Sequence, residues 1–207
     1  MTTQAAPISK LAELKPAKKS RVYTLEEYLR KEAASERKHE YHNGKIVPMP
    51  YAKGPHNIIA ANLMVALGNA VQNLDKNFVV FSSDQKVYFP ELNHGVYADT
   101  LVVCEKPEYW QGNDLLLINP LLVVEVLSDS TEAYDRNGKF SKYKTLPSFK
   151  EYVLVKQNRV WVEAWYRERP GFWHETTIRD LDQSITLTSL GVTLPLSGIY
   201  RNVEVEK

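Results

Sequence analysis

The stretch LLVVEVLSDSTEAYDRNGKFSKYK, residues 121–144, decides the fold. Its first seven residues, Leu121 to Leu127, are apolar on both faces of an extended chain except for one carboxylate, Glu125. Strands that are apolar on both faces are typical of a sheet covered from both sides. Because an unpaired charge is costly to bury in such a strand, we expect Glu125 to be protonated, paired or bound to a metal.

A second carboxylate precedes Glu125 by the length of one strand and a loop. Asp99 opens the strand DTLVVCE, which suits a neighbour of the Glu125 strand. Two carboxylates that converge raise each other's pKa unless a cation lies between them, and oxygen ligands suit magnesium or manganese. The spacing leaves a second interpretation open, in which Asp99 caps a turn and Glu125 forms a buried ion pair with an Arg or Lys.

The residues after the Glu125 strand predict a short basic helix over Asp135 to Thr145. Lys139 and Tyr143 share a face at i and i+4, and Arg136 and Lys142 add further positive and polar groups. A lysine near a metal-bound water can orient the attacking hydroxide or offset negative charge at phosphorus, so this grouping suits phosphodiester hydrolysis. An ordinary solvated face is the competing interpretation, above all for Lys142.

The rest of the chain predicts a mixed order of helices and strands. Thr24 and Glu27 form a capping box that starts a helix, Asn43-Gly44 predicts a hairpin, and apolar spacing predicts the longest helix over Pro55 to Leu74. Strand-like runs are FVVFSS, QKVYFP, YADTLVVCE, LLVVEVLS, EYVLVKQ, RVWVEAWYRE and GFWHETTI. No regular βαβ repeat is present, so we expect an α/β fold of the α+β type.

Length and composition limit the domain count and the possible functions. A chain of 207 residues fits one domain, which we place at residues 21–207 after a disordered or loosely attached tail at residues 1–20. The formal charge of +1 neither demands nor excludes nucleic acid. The single cysteine, Cys104, excludes an intrachain disulfide or a cysteine-based zinc site and fits a reducing cytosol.

Targeting and cofactor motifs are absent from the sequence. No signal peptide and no run of about 20 apolar residues is found, so we expect a cytoplasmic protein without a membrane partner. No glycine-rich phosphate loop or dinucleotide fingerprint occurs, so we expect no nucleotide cofactor.

Five stretches resemble the Uma2 family of endonucleases, within the PD-(D/E)XK nuclease-like superfamily. They are ERKHEYHNGKIVPM, PHNIIAANLMVAL, VYADTLVVCEKP, LLVVEVLSDSTEAYDRNGKFSKYKTLPSFKEYVLV and LPLSGIY. The resemblance implies a restriction-endonuclease-like mixed central sheet flanked by helices, with an N-terminal helix and hairpin and extra C-terminal strands. It also implies a magnesium- or manganese-dependent endonuclease that hydrolyses phosphodiester bonds in DNA.

The resemblance assigns the metal-binding positions one by one. Asp99 matches the family's metal-binding aspartate, with Ala98 in the place of the usual preceding proline. Glu125 matches the acidic residue of the second half-motif. Together with the backbone carbonyl of Val126, these two carboxylates are expected to hold magnesium.

The lysine of the superfamily motif is displaced in this chain. Leu127 stands where lysine is usual, two positions after the acidic residue, and the matching basic residue is Lys139 on the following helix, with Lys142 behind it. Arg136 and Tyr143 are expected to contact the phosphate.

Two further family positions have roles that the sequence leaves open. Glu40 is expected alongside the metal site, with a surface cross-strand partner as the alternative. His56 opens the long helix, where it contacts a phosphate or acts as a capping or packing residue.

Partners and alternative functions complete the prediction. Trp161, Trp165 and Trp173 alternate with polar residues in the late strands, as on a packed sheet face or a dimer surface, and cleavage of both DNA strands is simplest for a homodimer. The alternatives are a nuclease-fold DNA-binding or assembly module that does not cut, and a nuclease acting on RNA or structured nucleic acid.

Overall fold

A computed structural model describes residues 21–206, so the predicted tail at residues 1–20 lies outside the described residues. Helix α1 (Leu25–Ala33) begins at Thr24, where both hydrogen bonds of the predicted capping box with Glu27 are present. Strands β1 (His39–His42) and β2 (Lys45–Pro48) form the predicted hairpin, and both turn residues between them have positive φ angles. These N-terminal predictions are confirmed.

The remaining elements follow the predicted order closely. The long helix α2 spans Gly54–Val71. The other elements are β3 (Phe78–Ser82), β4 (Lys86–Phe89), β5 (His94–Tyr97), β6 (Thr100–Cys104), β7 (Leu116–Leu117), β8 (Leu122–Leu127), a π-helix (Tyr134–Lys139), α3 (Phe140–Tyr143), β9 (Glu151–Lys156), β10 (Val162–Arg169), β11 (Phe172–Ile178), β12 (Ser184–Leu187), β13 (Val192–Pro195) and α4 (Leu196–Ile199). Within residues 21–206, no helix combines the length and the apolar character needed to cross a membrane.

The strands form two main sheets. The six-stranded sheet has the order β11-β10-β9-β8-β6-β3 and is mixed, because β8 pairs in parallel with β9 and antiparallel with β6. The five-stranded sheet has the order β2-β1-β5-β4-β7, so the N-terminal hairpin is extended by later strands. The sequence predicts one strand over YADTLVVCE, whereas the chain leaves β5 after Tyr97 and enters β6 at Thr100.

Strand β8 is fully buried and covered on both faces, as the opening stretch predicts. On one face, Val124 and Val126 share an apolar core with Ile59 and Leu63 of α2. On the other face, Leu127 shares a second core with aromatic residues that follow the π-helix. Glu125 lies on the same face as Leu127, where Lys139 of the π-helix contacts it.

Two of the late tryptophans are partly buried against the second core. The ring centroids of Trp165 and Trp173 lie 5.8 and 5.0 Å from that of Phe140. Trp161 is half-buried, and the Arg179 guanidinium lies 3.9 Å from its ring centroid.

Candidate active site

Asp99 lies where two neighbouring strands separate. The ladder between β6 and β8 ends at the pair Thr100 and Val124. One residue before β6, the Asp99 carboxylate replaces the missing strand partner, since its Oδ2 accepts a hydrogen bond of 2.7 Å from the Val126 N–H. The N–H and C=O groups of one strand residue point to the same side, so the Val126 carbonyl faces the gap that holds Asp99.

Glu125 is paired with Lys139 in the interior. The Lys139 Nζ lies 3.0 Å from Glu125 Oε2 and 3.1 Å from Asp135 Oδ1, and it donates a further bond of 2.9 Å to the Tyr97 carbonyl. Glu125 and Lys139 are only 2% and 6% exposed. Of the three states that the sequence allowed for Glu125, the structure shows the paired one.

The pKa values of Glu125 and Lys139 depend on burial and on neighbouring charges as well as on the attraction between the two groups. Burial raises the pKa of Glu125 well above its usual value, and the charges of Asp135 and Asp99 raise it further against the opposing effect of Lys139. Burial alone would lower the pKa of Lys139, but the surrounding carboxylates hold it well above its usual value. The negative charge of the cluster therefore favours positively charged groups beside it.

A π-helix aims Lys139 at the cluster. Asp135 and Lys139 are both buried members of this segment, although a short α-helix was predicted here. Gly138 permits the close approach of the Tyr134 ring, because a Cβ built at this position would lie 2.5 Å from a ring atom of Tyr134. Wide helical turns of this kind recur at functional sites, where they re-aim a side chain.

Glu40 enters the cluster from the five-stranded sheet. It is 5% exposed, accepts a hydrogen bond of 2.7 Å from the Tyr134 hydroxyl and lies 2.8 Å from His42 Nε2. Its Oε1 lies 4.0 Å from Lys139 Nζ. Burial works against the charged form, yet the contact with His42 and the charge of Lys139 hold the pKa of Glu40 below its usual value. The surface interpretation of Glu40 is therefore wrong.

His56 connects the start of α2 to Asp99. Its Nε2 lies 3.2 Å from Asp99 Oδ2. Burial would lower the pKa of His56, but the hydrogen bond and the charge of Asp99 outweigh it and raise the pKa above its usual value. The Nδ1 atom is buried and has no hydrogen-bond partner among residues 21–206.

Arg136 and Tyr143 were expected to contact the phosphate and Lys142 to stand behind Lys139, and all three make contacts within the chain. Tyr143 is fully buried with its hydroxyl 3.5 Å from Glu125 Oε1, so the prediction of a direct phosphate contact is corrected to a contact beneath the cluster. Arg136 makes two bonds of 2.9 and 2.7 Å to Glu163 on β10, which directs its guanidinium away from Glu125. Lys142 donates to the Gly138 carbonyl at 3.0 Å.

Three members of the cluster were not predicted from the sequence, namely Asp135, Tyr134 and His42. Asp135 precedes Lys139 by four residues, a spacing that joins opposite charges on one helical face and could have identified it. His42 follows Glu40 by two positions, so both side chains lie on one face of β1. Tyr134 carries no such signal, because its role depends on the packing of the π-helix against β1.

The donor set of the cluster fits a hard divalent cation. Its four acidic side chains are Glu40, Asp99, Glu125 and Asp135, against one lysine, Lys139, and two histidines, His42 and His56, which are cationic only when protonated. Among residues 21–206, no three His, Cys, Asp or Glu side chains already converge as ligands. Magnesium suits such a site, because it binds one or two carboxylates and keeps several waters.

Comparisons with known proteins give one matching family and two similar sequences. The model of the Uma2 family, described as "Putative restriction endonuclease", matches residues 25–197. An uncharacterized protein of Synechocystis sp. is 33% identical over 138 residues, which are 67% of this chain and 77% of that protein. A second from the same organism is 32% identical over 178 residues, which are 86% of this chain and 91% of that protein.

A solved structure supports the fold. The crystal structure of a "putative nuclease belonging to DUF820" from Anabaena variabilis superposes with a TM-score of 0.68 at 18% sequence identity. The match covers 86% of this chain and 97% of that chain. At this identity the likeness concerns the arrangement of helices and strands.

Proposed function

The chain belongs to the Uma2 family, and on that premise we propose that it is a magnesium- or manganese-dependent endonuclease that hydrolyses phosphodiester bonds in DNA. The observation that carries the proposal is the pair of Glu125 and Lys139, whose charged atoms lie 3.0 Å apart in the interior beside Asp99. Lys139 supplies one positive charge among the carboxylates of Glu40, Glu125 and Asp135, so a bound divalent cation would neutralise the negative charge that remains.

The proposal assigns direct tasks to four residues of the site. Asp99, Glu125 and the Val126 carbonyl would hold the metal ion, which supplies Lewis acidity and a more acidic bound water. The Lys139 ammonium orients the attacking water beside Glu125 and offsets negative charge that builds up on the phosphate.

Lys139 takes the place of the usual motif lysine for a packing reason. Leu127 is 2% exposed and belongs to the apolar core beneath the sheet. A lysine at position 127 would have to displace core packing. The π-helix instead brings Lys139 Nζ to 3.0 Å from Glu125 Oε2.

His56 and Glu40 support the reacting groups. His56 restrains Asp99 through Nε2, so its proposed task is to position that carboxylate. Glu40 holds the Tyr134 hydroxyl and adds negative charge near Lys139, which keeps the lysine protonated.

A second candidate function is a nuclease-fold module that binds DNA without cutting it. The observation in its favour is that Lys139 Nζ already has three oxygen partners, on Glu125, Asp135 and Tyr97, equal to its three N–H groups. In that case the cluster is a closed network that only stabilises the fold.

Cleavage assays separate the two candidates. The parent protein is expected to cut DNA with magnesium or manganese, and Asp99→Asn and Glu125→Gln are each expected to lose nearly all cleavage while remaining folded by circular dichroism. Parallel reactions with RNA and with structured substrates define the substrate class. If the parent cuts no substrate with either metal, the module that binds without cutting becomes the better proposal.

A displaced-lysine rescue tests the role of Lys139. The double variant Lys139→Ala with Leu127→Lys returns the amine to the strand position beside Glu125, so partial recovery of cleavage over Lys139→Ala is expected. Lys142→Ala, three residues further along the chain, is the matched control and should keep most of the DNA cleavage activity. Full activity of Lys139→Ala would assign the basic role to another residue.

A further inference from the structure

An exposed aromatic ring stands on the linker between β2 and α2. Tyr51 is 80% exposed, although large apolar and aromatic side chains in this chain are mostly packed. It follows Pro50, whose ring fixes the backbone φ angle of the linker. Tyr51 is therefore exposed on a linker whose backbone is restrained by Pro50.

A fixed cation lies against one face of this ring. The Arg37 guanidinium is 5.1 Å from the Tyr51 ring centroid. Its Nε and Nη2 both donate to the Met49 carbonyl, at 3.1 and 2.9 Å, so the guanidinium is held in place by the linker itself. With Arg37 behind it, the ring presents its other face to solvent.

Tyr51 is connected along the chain to residues of the candidate active site on both sides. Upstream, the Met49 N–H donates to the Lys38 carbonyl at 2.9 Å, which extends the hairpin that carries Glu40. Downstream, the linker leads within one turn of α2 to His56, which contacts Asp99.

The charge of the surrounding segment favours a phosphate backbone. Residues 41–74 contain no aspartate or glutamate but include Lys45 and Lys53, both exposed. A polyanion that approaches the cluster along this segment meets no opposing charge from it, and lysines near phosphates strengthen binding.

We propose that Tyr51, backed by Arg37, is a stacking site for an unpaired base of single-stranded DNA whose backbone enters the cluster. This inference rests on the proposed function for the identity of the polymer. A base within a duplex has both faces covered by its neighbours, so a free ring face fits a nucleotide outside the helix. The substrate of the site is accordingly single-stranded DNA, or DNA with an unpaired base beside the bond to be cut.

Binding without cleavage tests the stacking site. Fluorescence anisotropy in EDTA measures Kd for a labelled single-stranded oligonucleotide, and quenching of a 2-aminopurine base in the same strand reports stacking directly. Tyr51→Ala is expected to raise Kd about fivefold or more and to abolish the quenching, as loss of one base–aromatic stack does. Tyr51→Phe keeps the ring and is expected to retain both signals.

Phe172 provides a matched control. It is 47% exposed, and the Arg169 guanidinium lies 5.1 Å from its ring centroid, so it repeats the chemistry of Tyr51 and Arg37. Phe172 lies in the hairpin between β10 and β11. Because β10 runs antiparallel to β9, this hairpin extends past the end of the sheet that lies opposite to Glu125. Phe172→Ala should leave Kd unchanged.

The outcomes distinguish this inference from the proposed function. Equal Kd values for the parent and Tyr51→Ala, an equal loss in Phe172→Ala, or no binding of single strands by the parent would each overturn the stacking site. If the parent binds single strands through Tyr51 but cuts no DNA with magnesium or manganese, the stacking site stands and the proposed nuclease activity is wrong.

Discussion

The Lys139 ammonium is the buried cation around which the candidate site is organised. Its Nζ lies between the carboxylates of Glu125 and Asp135, with Glu40 at 4.0 Å. Removing one partner of a buried ion pair usually destabilises a protein more than the pair itself stabilises it, because the remaining charge is left unpaired. Mutations at this residue therefore affect the stability of the metal-free protein as well as catalysis.

A double-mutant cycle measures that coupling. Lys139→Ala is expected to lower the free energy of unfolding by about 3–5 kcal/mol in metal-free buffer, because Glu125 and Asp135 lose their counter-charge. Adding Glu125→Gln should recover part of the loss, since a neutral amide replaces the carboxylate that Lys139 neutralised. Urea unfolding measures all the variants, and additive effects of the two mutations would contradict the coupling.

The pH dependence of stability reports on Glu40. The pKa of Glu40 is held below its usual value of 4.5, against the effect of burial, by His42 and Lys139. Its contribution is therefore fully present above the unfolded-state pKa and lost as pH falls through the folded-state pKa. We expect the stability difference between the parent and Glu40→Gln to shrink as pH is lowered below 4.5, as measured by urea unfolding. A difference that stays constant over this range would contradict the assignment.

At the residue scale, the sequence identified the charges that lie in strands more readily than their partners. Asp99 and Glu125 stand out because they interrupt apolar runs, and the structure bonds Asp99 to Val126, the residue after Glu125. Tyr143 was placed at the phosphate because helical spacing says which residues share a face and does not say which face is buried. Its full burial follows from aromatic packing that only the folded chain defines.

At the scale of elements, the π-helix is the feature that makes the site. The sequence predicts a helix over these residues, but hydrophobic spacing cannot distinguish the wider turn from an ordinary α-helix. The wider turn places Asp135, Lys139 and the Tyr134 hydroxyl on the side of Glu125 and Glu40. Strand β5 was missed for a similar reason, because its residues continue without a turn signal toward β6.

Gly138 tests the importance of that turn. Gly138→Ala would place a Cβ 2.5 Å from the Tyr134 ring, so Tyr134 must shift away from Glu40. We expect a loss of about 1–3 kcal/mol in the free energy of unfolding, together with reduced DNA cleavage. Thermal unfolding and cleavage assays measure the two effects.

Gly68 in α2 is the matched control for this substitution. A Cβ at Gly68 meets no atom within 4 Å. Gly68→Ala should stabilise the protein by about 0.5–1 kcal/mol, because alanine favours a helix interior. Equal effects of the two substitutions would show that the π-helix packing is unimportant.

At the scale of the whole molecule, two sheets and α2 converge on one cluster. Glu40 comes from the five-stranded sheet, Glu125 from the six-stranded sheet and His56 from α2. We propose that residues 21–207 act as one domain on this basis. The family resemblance predicted the mixed sheet, whereas the joining of the hairpin to β5 depends on pairing between distant strands, which local sequence does not specify.

The predicted homodimer needs a different surface from the one the sequence suggested. Trp165 and Trp173 are partly buried against Phe140, whereas α2 has no aspartate, glutamate, lysine or arginine and exposes Ile58, Met64 and Val65. We place the predicted dimer contact on this face, where a second copy would cover the apolar surface. Light scattering should give a dimeric mass for the parent and a monomeric mass for Val65→Lys. A monomeric parent at tens of micromolar would contradict the prediction.

The metal site is the central claim, and anomalous diffraction from manganese-soaked crystals tests it most directly. We predict one anomalous peak within ligand distance of Asp99 and Glu125, on the side of the Val126 carbonyl, and its loss in crystals of Asp99→Asn. In that variant the amide oxygen of the new side chain can still accept the hydrogen bond from the Val126 N–H, so the fold should be unchanged. Crystals of the parent without anomalous density at this position would contradict the metal site and with it the proposed nuclease mechanism.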